Sequence, residues 1–365
     1  MYNILFYSGT LQQNGTEMFM MNILRYIDRT CFHIDFCISD TEITPNRVEA
    51  ESYGCKVYVL PSRRQNPIRS IIAQWNFMRK NAHIYDAIHW NGGNLSSISI
   101  LLFAKYFNIP IRIVHAHNSN AKGLHNRILH KFHKLFIRSV CNRFFACSTS
   151  AAHFFYGNNP AVIINNGIDV DKFGYNPQIK MEIRDKFYIP LTAQVIGHVG
   201  QFTDIKNHSF LLDIFSAYHK YNRNSYLLLV GKGPNQEYIQ QKTNDLGLKD
   251  KVIFTGSRND VNRLMQAMDC FVMPSLFEGL PFVLVEAQCS GLPCIVSDTI
   301  NRDIQLTDNV TFLPLQIGAE KWAETIKTQM SAFHRMSQSS TIKKKGFDIK
   351  DTVKYLEAIY SGSQL

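Results

Sequence analysis

The 365-residue sequence contains no apolar run of 18 residues. The nearest, residues 95–104, is short and broken by three serines, so no transmembrane helix is expected. No CxxC pair occurs among the eight cysteines, most of which sit in apolar runs. Zinc and dithiol chemistry are therefore not indicated, and buried, reduced thiols are expected. The opening MYNILFYSGT has neither a basic segment nor a small-residue cleavage site, and reads as a strand. A cytoplasmic chain is expected on that ground. GxGxxG is absent, which makes a glycine-rich first loop weak evidence by itself, and no nucleic-acid-binding motif occurs, so a nucleic-acid partner is not expected. Charged residues make up only 19% against 45% hydrophobic, which excludes a disordered chain.

What is present is enough chain for two domains. The net charge of +10 is unevenly placed: residues 1–170 carry 17 Lys and Arg against 9 Asp and Glu. Arg63, Arg64, Arg69, Arg79, Lys80, Lys122, Arg127, Lys131, Lys134, Arg138 and Arg143 supply most of the excess, interleaved with Phe132, Leu135, Phe136 and Ile137. A basic, partly apolar surface without a membrane span suits an anionic membrane surface.

Strand-like and helix-like stretches alternate almost throughout, which argues for parallel sheets covered by helices. In the first half, strands are expected at residues 2–7, 33–38, 56–60, 85–89, 111–115, 143–148 and 161–165, with helices at 17–26 and 126–138. The loop 8–16 holds two glycines, where doubly wound folds bring backbone amides to phosphate. His89 and Asn91 are read as ending the fourth strand and His117 as lying just past the fifth, whereas His115 points inward. Asn166-Gly167-Ile168-Asp169 reads as a hinge.

The second half restarts the pattern, with strands at 193–199, 226–230, 252–255, 269–273, 294–297 and 311–314. Helices follow at 210–221, 236–246, 261–267 and 320–333, and a last one at 349–360. The suspect loops, Gln201 to Lys206, Lys232 to Pro234, Arg258, and Ser275 to Pro281, all fall at the carboxyl ends of strands. Glu278 and Glu286 stand eight positions apart around Gly279-Leu280-Pro281. Proline suits a first helical position, leaving the amides of Phe282, Val283 and Leu284 free to attract an anion. Two carboxylates beside an anion-seeking helix end point to a phosphate ester rich in hydroxyls.

These marks resemble the family-4 retaining glycosyltransferases of bacterial capsule and exopolysaccharide synthesis. They are Asn14-Gly15-Thr16-Glu17, His115-Ala116-His117-Asn118, Ala146-Cys147-Ser148, Asn166-Gly167-Ile168-Asp169, Lys206-Asn207-His208, Leu229-Val230-Gly231-Lys232-Gly233, and Glu278 through Glu286 as the family's E-x7-E. The resemblance implies GT-B architecture: two Rossmann-like α/β domains facing across a cleft, the last helix crossing back to the first. The expected division is 1–167 with 349–365 for acceptor binding, and 168–348 for the nucleotide sugar. It further implies no metal or other cofactor, catalytic roles for His117, Lys206 and Glu278, and acceptor contacts from His89, Asn91 and Asn118. Donor contacts are implied for Gly15, Thr16, Gln201, Lys206, Lys232, Arg258, Glu278, Gly279, Leu280, Phe282, Val283 and Glu286. Gln201 departs from the pattern, since most relatives carry an arginine there that partners the lysine on the diphosphate. Losing that charged hydrogen bond would cost about 1.5–3 kcal/mol, with Arg258, Lys232 or His117 as candidate replacements.

The expected reaction is retaining transfer of a hexose or N-acetylhexosamine from a nucleotide-diphosphate sugar, UDP first among the nucleotides. The expected acceptor is a growing glycan on a polyprenyl-diphosphate lipid at the inner face of the membrane. A UDP-sugar 2-epimerase of the same architecture, or a weakly active partner subunit, are the alternatives.

Overall fold

The computed structural model describes residues 1–12, 15–121, 123–332 and 334–363. Asn14 of the first loop, Lys122 of the basic set and Phe333 at the end of the helix expected over 320–333 lie outside them, as do the last two residues of the 349–365 tail. The chain forms two compact units, Met1–Gly167 with Ile349–Leu365, and Ile168–Asp348.

The first unit is built on seven parallel strands: β1 Tyr2–Tyr7, β2 Phe32–Ile38, β3 Val57–Val59, β4 Ala87–Gly92, β5 Ile111–Ala116, β6 Arg143–Ala146 and β7 Val162–Ile163. Their order is β3-β2-β1-β4-β5-β6-β7, so the winding reverses between β1 and β4. Ile4, Leu5 and Phe6 of β1 and Ile113 and Val114 of β5 are wholly buried. Such unbroken apolar runs are what strands covered on both faces require. Helix Gly15–Tyr26 turns Phe19, Met20, Ile23 and Leu24 inward, as its spacing predicts. Helix Ile349–Tyr360 completes this unit: Glu357 accepts from the Asp28 amide at 2.8 Å, and the Tyr360 hydroxyl reaches His89 Nδ1 at 2.6 Å.

Several elements differ from the sequence reading. The fourth strand begins at Ala87 and runs on to Gly92, which puts His89 in its middle. The helix expected over 126–138 is Leu124–Lys134, with a separate turn at Ile137–Val140. Ser148, read as a strand end, instead caps helix Thr149–Tyr156 by accepting from the Ala151 amide. Helices Pro45–Ser52, Pro67–Asn81 and Ser99–Tyr106 add to the cover of the sheet.

The second unit repeats the plan with β8 Gln194–Val199, β9 Ser225–Val230, β10 Val252–Phe254, β11 Cys270–Met273, β12 Cys294–Ser297 and β13 Val310–Leu313. The strands are parallel in the order β10-β9-β8-β11-β12-β13, with the reversal between β8 and β11. Helices His208–Tyr221, Gln236–Asp245, Val261–Ala267 and Phe282–Cys289 connect them, and Ala319–Ala332 follows β13. Helix Pro177–Lys186 precedes β8 and was not expected; its Arg184 is wholly buried. That guanidinium holds the carbonyls of Ala267, Leu191 and Ala193 and pairs with Asp269 Oδ2 at 2.5 Å.

All eight cysteines are free thiols and all but Cys31 are buried. Among the described residues no helix is long and apolar enough to cross a membrane.

Candidate active site

In the second unit the winding reversal makes β8 and β11 neighbours, so the loops leaving their carboxyl ends adjoin. The loop after β8 ends in a short 3₁₀ turn, Asp204–Lys206, followed by Asn207 in the left-handed region at φ 54°. Asparagine tolerates that conformation better than most residues. The Asn207 amide donates to Pro274 O at 3.1 Å, and Ile205 O accepts from the Leu276 amide at 2.8 Å. Ser297, the last residue of β12, and Thr299 just past it both donate to Ser275 O. These bonds hold the two loops in register and bring Lys206 Nζ to 2.7 Å from Glu278 Oε1. Both side chains are largely shielded, so solvent screens the pair only in part.

The loop after β9 packs against the loop after β8. A side chain on Gly231, whose φ is 142°, would strike Gly200 O, and one on Gly233 would strike the Phe202 backbone. Phe202 N donates to Lys232 O, and Gly231 N to Gly256 O, so the loops after β8, β9 and β10 form one backbone-bonded edge. The glycines around Lys232 are thus demanded by this close approach, independent of any ligand. Lys232 lies exposed on that edge and Gln201 is exposed beside it.

Arg258 also reaches this edge but is already committed: Nε and Nη2 hold both carboxylate oxygens of Asp260 at 2.7 and 2.6 Å. In this state its guanidinium is engaged by that carboxylate, whereas no ion pair involving Lys232 occurs among the described residues.

Helix Phe282–Cys289 begins one residue later than expected, with Pro281 in extended conformation as its cap. The Leu284 amide consequently donates to Pro281 O at 3.0 Å and is not available to a ligand. Phe282 and Val283 keep the terminal positions, while their side chains and that of Leu280 pack onto the core. Gly279 faces open space. Glu286, a turn into the helix, is half-buried, and burial pushes its carboxyl up to about 7. At neutral pH it sits on the margin between donor and acceptor.

In the first unit, Gly15 opens helix Gly15–Tyr26 and is exposed, with Thr16 half-buried beside it. Glu17 is buried, accepts from Thr10 Oγ1 at 2.7 Å, and burial raises its pKa. The extension of β4 overturns two acceptor assignments. His89 is wholly buried, its Nδ1 engaged by Tyr360 and its Nε2 by His115 Nδ1 at 3.1 Å. Asn91 is buried too, its Nδ2 donating to His89 O at 3.0 Å and its Oδ1 lying 2.9 Å from His117 Nε2. Every polar side-chain atom of the two already has a partner within this unit. Asn118 remains exposed. His117 is half-buried at the strand end; its ring lies 4.2 Å from that of His115 and 5.3 Å from that of Phe19. Burial lowers its pKa to about 3, which favours the neutral ring.

Two family models cover most of the chain: "Glycosyltransferase Family 4" matches residues 13–172 and "Glycosyl transferases group 1" matches residues 193–331. EpsF of Bacillus subtilis (strain 168), named as a glycosyltransferase, is 31% identical over 96% of this chain and 94% of its own. This chain belongs to glycosyltransferase family 4. Another relative from the family, the capsular polysaccharide biosynthesis glycosyltransferase CapH of Staphylococcus aureus, is 24% identical over the full length of both chains. An Escherichia coli UDP-Gal:alpha-D-GlcNAc-diphosphoundecaprenol alpha-1,3-galactosyltransferase is 25% identical over 66% of this chain and 64% of its own. The family's GT-B fold is seen in the crystal structure of Anabaena HepE in complex with UDP and glucose. That structure matches 99% of this chain and 100% of its own at a TM-score of 0.77 and 19% identity.

Proposed function

We propose that this glycosyltransferase moves a hexose or N-acetylhexosamine from a UDP-sugar to a growing glycan, with retention of anomeric configuration and without a metal. The acceptor in this reading is a glycan carried on a polyprenyl diphosphate at the inner face of the membrane. The observation that carries the reading is the Lys206–Glu278 pair, set beside the Phe282 helix end and Glu286 on one edge of the second unit. Lys206 and the helix-end amides suit a diphosphate, while Glu278 and Glu286 suit hydroxyls of sugar and ribose. HepE's complex with UDP and glucose, and the lipid diphosphate in the name of the Escherichia coli relative, support the two substrate classes.

In the reaction the bond from the sugar's anomeric carbon to the diphosphate oxygen breaks as the bond to the acceptor oxygen forms. The acceptor's proton leaves with the diphosphate. Charge grows on the departing oxygen, so the fixed positive potential of Lys206 and the helix end supplies the main stabilisation. Gly15, Thr16 and His117 are assigned to the donor's reacting end and Asn118 to the acceptor. No carboxylate nucleophile is assigned.

Membrane attachment is assigned to helix Leu124–Lys134. Leu124, Ile128 and Phe132 recur every fourth residue and are 74%, 58% and 58% exposed, and Leu135 continues the stripe. Arg127 and Lys131 flank it, which suits insertion among anionic lipids.

The test is incubation with a panel of nucleotide sugars and polyprenyl-diphosphate acceptors, with and without a chelator, followed by assignment of the product's anomer. Inverted product, or transfer abolished by the chelator, would contradict the reading. Gln201 and the engaged Arg258 favour a second reading, a weakly active partner subunit; absence of both nucleotide binding and donor hydrolysis would select it.

A further inference from the structure

His117 is held in one chemical form by its neighbours. Asn91 Nδ2 donates to the carbonyl of His89, and the opposite amide orientation would press two oxygens together. Asn91 Oδ1 therefore faces His117, and an oxygen 2.9 Å from Nε2 requires that Nε2 carry the hydrogen. The other ring nitrogen, Nδ1, is then a bare lone pair. It is buried and has no partner among the described residues. The ring cannot easily turn to exchange the two nitrogens, because His115 and Phe19 flank it and its own amide is tied to Gly92 O at 3.1 Å.

We infer that Asn91 is a positioning residue which fixes His117 as the Nε2–H tautomer, so that Nδ1 receives a hydrogen bond from a hydroxyl or acylamino N–H of the ligand and not from, or to, a phosphate. The inference deepens the donor-sugar reading above and rests on it for the identity of the ligand. A lone pair repels phosphate oxygens, whereas a sugar hydroxyl has a hydrogen to give. The titratable groups facing His117 are His115 and, beyond it, His89, both buried with pKa values driven down by burial. Helix Gly15–Tyr26 presents it with Phe19. Among the described residues no carboxylate is a ring or hydrogen-bond partner of His117, and Asn91 holds its only such hydrogen bond from a side chain.

The experiment uses the full chain with ¹⁵N-labelled histidine, the His117 signals being assigned by their loss in His117→Gln. In the wild type Nε2 is expected at a protonated-nitrogen shift and Nδ1 at a bare-nitrogen shift; the reverse overturns the inference. Adding UDP-glucose or UDP-N-acetylglucosamine should move Nδ1 as it accepts a hydrogen bond, and UDP alone should not. An equal response to UDP alone overturns the assignment to the sugar. In Asn91→Asp, one carboxylate oxygen faces Nε2 and favours the imidazolium, while the other replaces Nδ2 and gives up the bond to His89 O. The ratio of its turnover at saturating donor to that of the wild type should then fall several-fold as pH drops from about 8 to about 5.5, because Nδ1 gains a proton. A constant ratio, with unchanged His117 shifts, shows that Asn91 acts only as packing. If neither UDP-sugar binds at all, the donor reading fails, while the tautomer measurement still decides the role of Asn91.

Discussion

Lys206 Nζ lies 2.7 Å from Glu278 Oε1, so two charges that the donor would claim separately hold each other. Binding must redirect the lysine towards phosphate and the carboxylate towards hydroxyls. The two members of the pair should therefore respond differently to substitution. Lys206→Ala should weaken both UDP binding and transfer by about 1.5–3 kcal/mol, the worth of a charged hydrogen bond. Glu278→Gln should leave UDP binding unchanged or tighter, because the lysine is released, yet lower transfer by a similar factor. Calorimetry with UDP, set against product formation from UDP-sugar, separates the two. Parallel losses in both variants would contradict the division of roles.

Gln201→Arg restores a charge on an exposed loop beside Lys206, so it demands no repacking. Donor KM should fall by roughly tenfold or more, since a guanidinium binds phosphate with two hydrogen bonds and full charge. Steady-state kinetics with donor as the varied substrate reads the change.

Glu286 gives a pH signature. Its folded pKa of about 7 lies above the unfolded value, so between roughly pH 4.5 and 7 the folded state binds the extra proton and stability falls as pH rises. The melting temperature of the wild type relative to Glu286→Gln should decline across that window. Ribose hydroxyls donate to the carboxylate, so UDP affinity should rise more steeply over the same window in the wild type than in Glu286→Gln, where only the phosphate of UDP, with a second pKa of about 6, titrates. Thermal-shift titrations with and without UDP measure both.

Arg184 is wholly buried among carbonyls and Asp269. Arg184→Met leaves that carboxylate without its guanidinium and several carbonyls unbonded. A loss of about 3–5 kcal/mol is expected, visible as an earlier denaturant midpoint by tryptophan fluorescence or circular dichroism.

Phe132→Asp with Ile128→Asp should abolish sedimentation with anionic liposomes while leaving transfer to a water-soluble acceptor analogue intact. Retained binding would move the attachment site elsewhere.

The strands and the parallel plan were legible because apolar β-branched runs alternate with amphipathic stretches; Val261–Ala267, Cys294–Ser297 and Ile349–Tyr360 coincide with their expected bounds. Three of the unexpected helices carried a readable signal. Thr44-Pro45, Asn66-Pro67 and Asn176-Pro177 are each a capping side chain followed by a proline at the first turn. The fourth strand was placed too early because Tyr85 and Asp86 are as strand-compatible as their successors, and only pairing with β1 and β5 sets where the ladder starts. At the site, residue identities at strand ends were legible, but their pairings were not. That Glu278 is spent on Lys206 and Asn91 on His117 depends on loops brought together by sheet order, and that Arg258 is spent on Asp260 depends on the local turn of a single loop.

The first unit is closed by helix Ile349–Tyr360, so the second unit's whole sequence is threaded between its two parts. During synthesis the second unit can fold as soon as residue 348 is free, but the first cannot complete its core until the chain is nearly finished. Tyr360, the last residue of that helix, bonds His89 of the histidine cluster. A chain interrupted shortly before its end would thus carry a finished second unit and an incomplete first one, exposing the apolar face of helix Gly15–Tyr26 to chaperones and proteases.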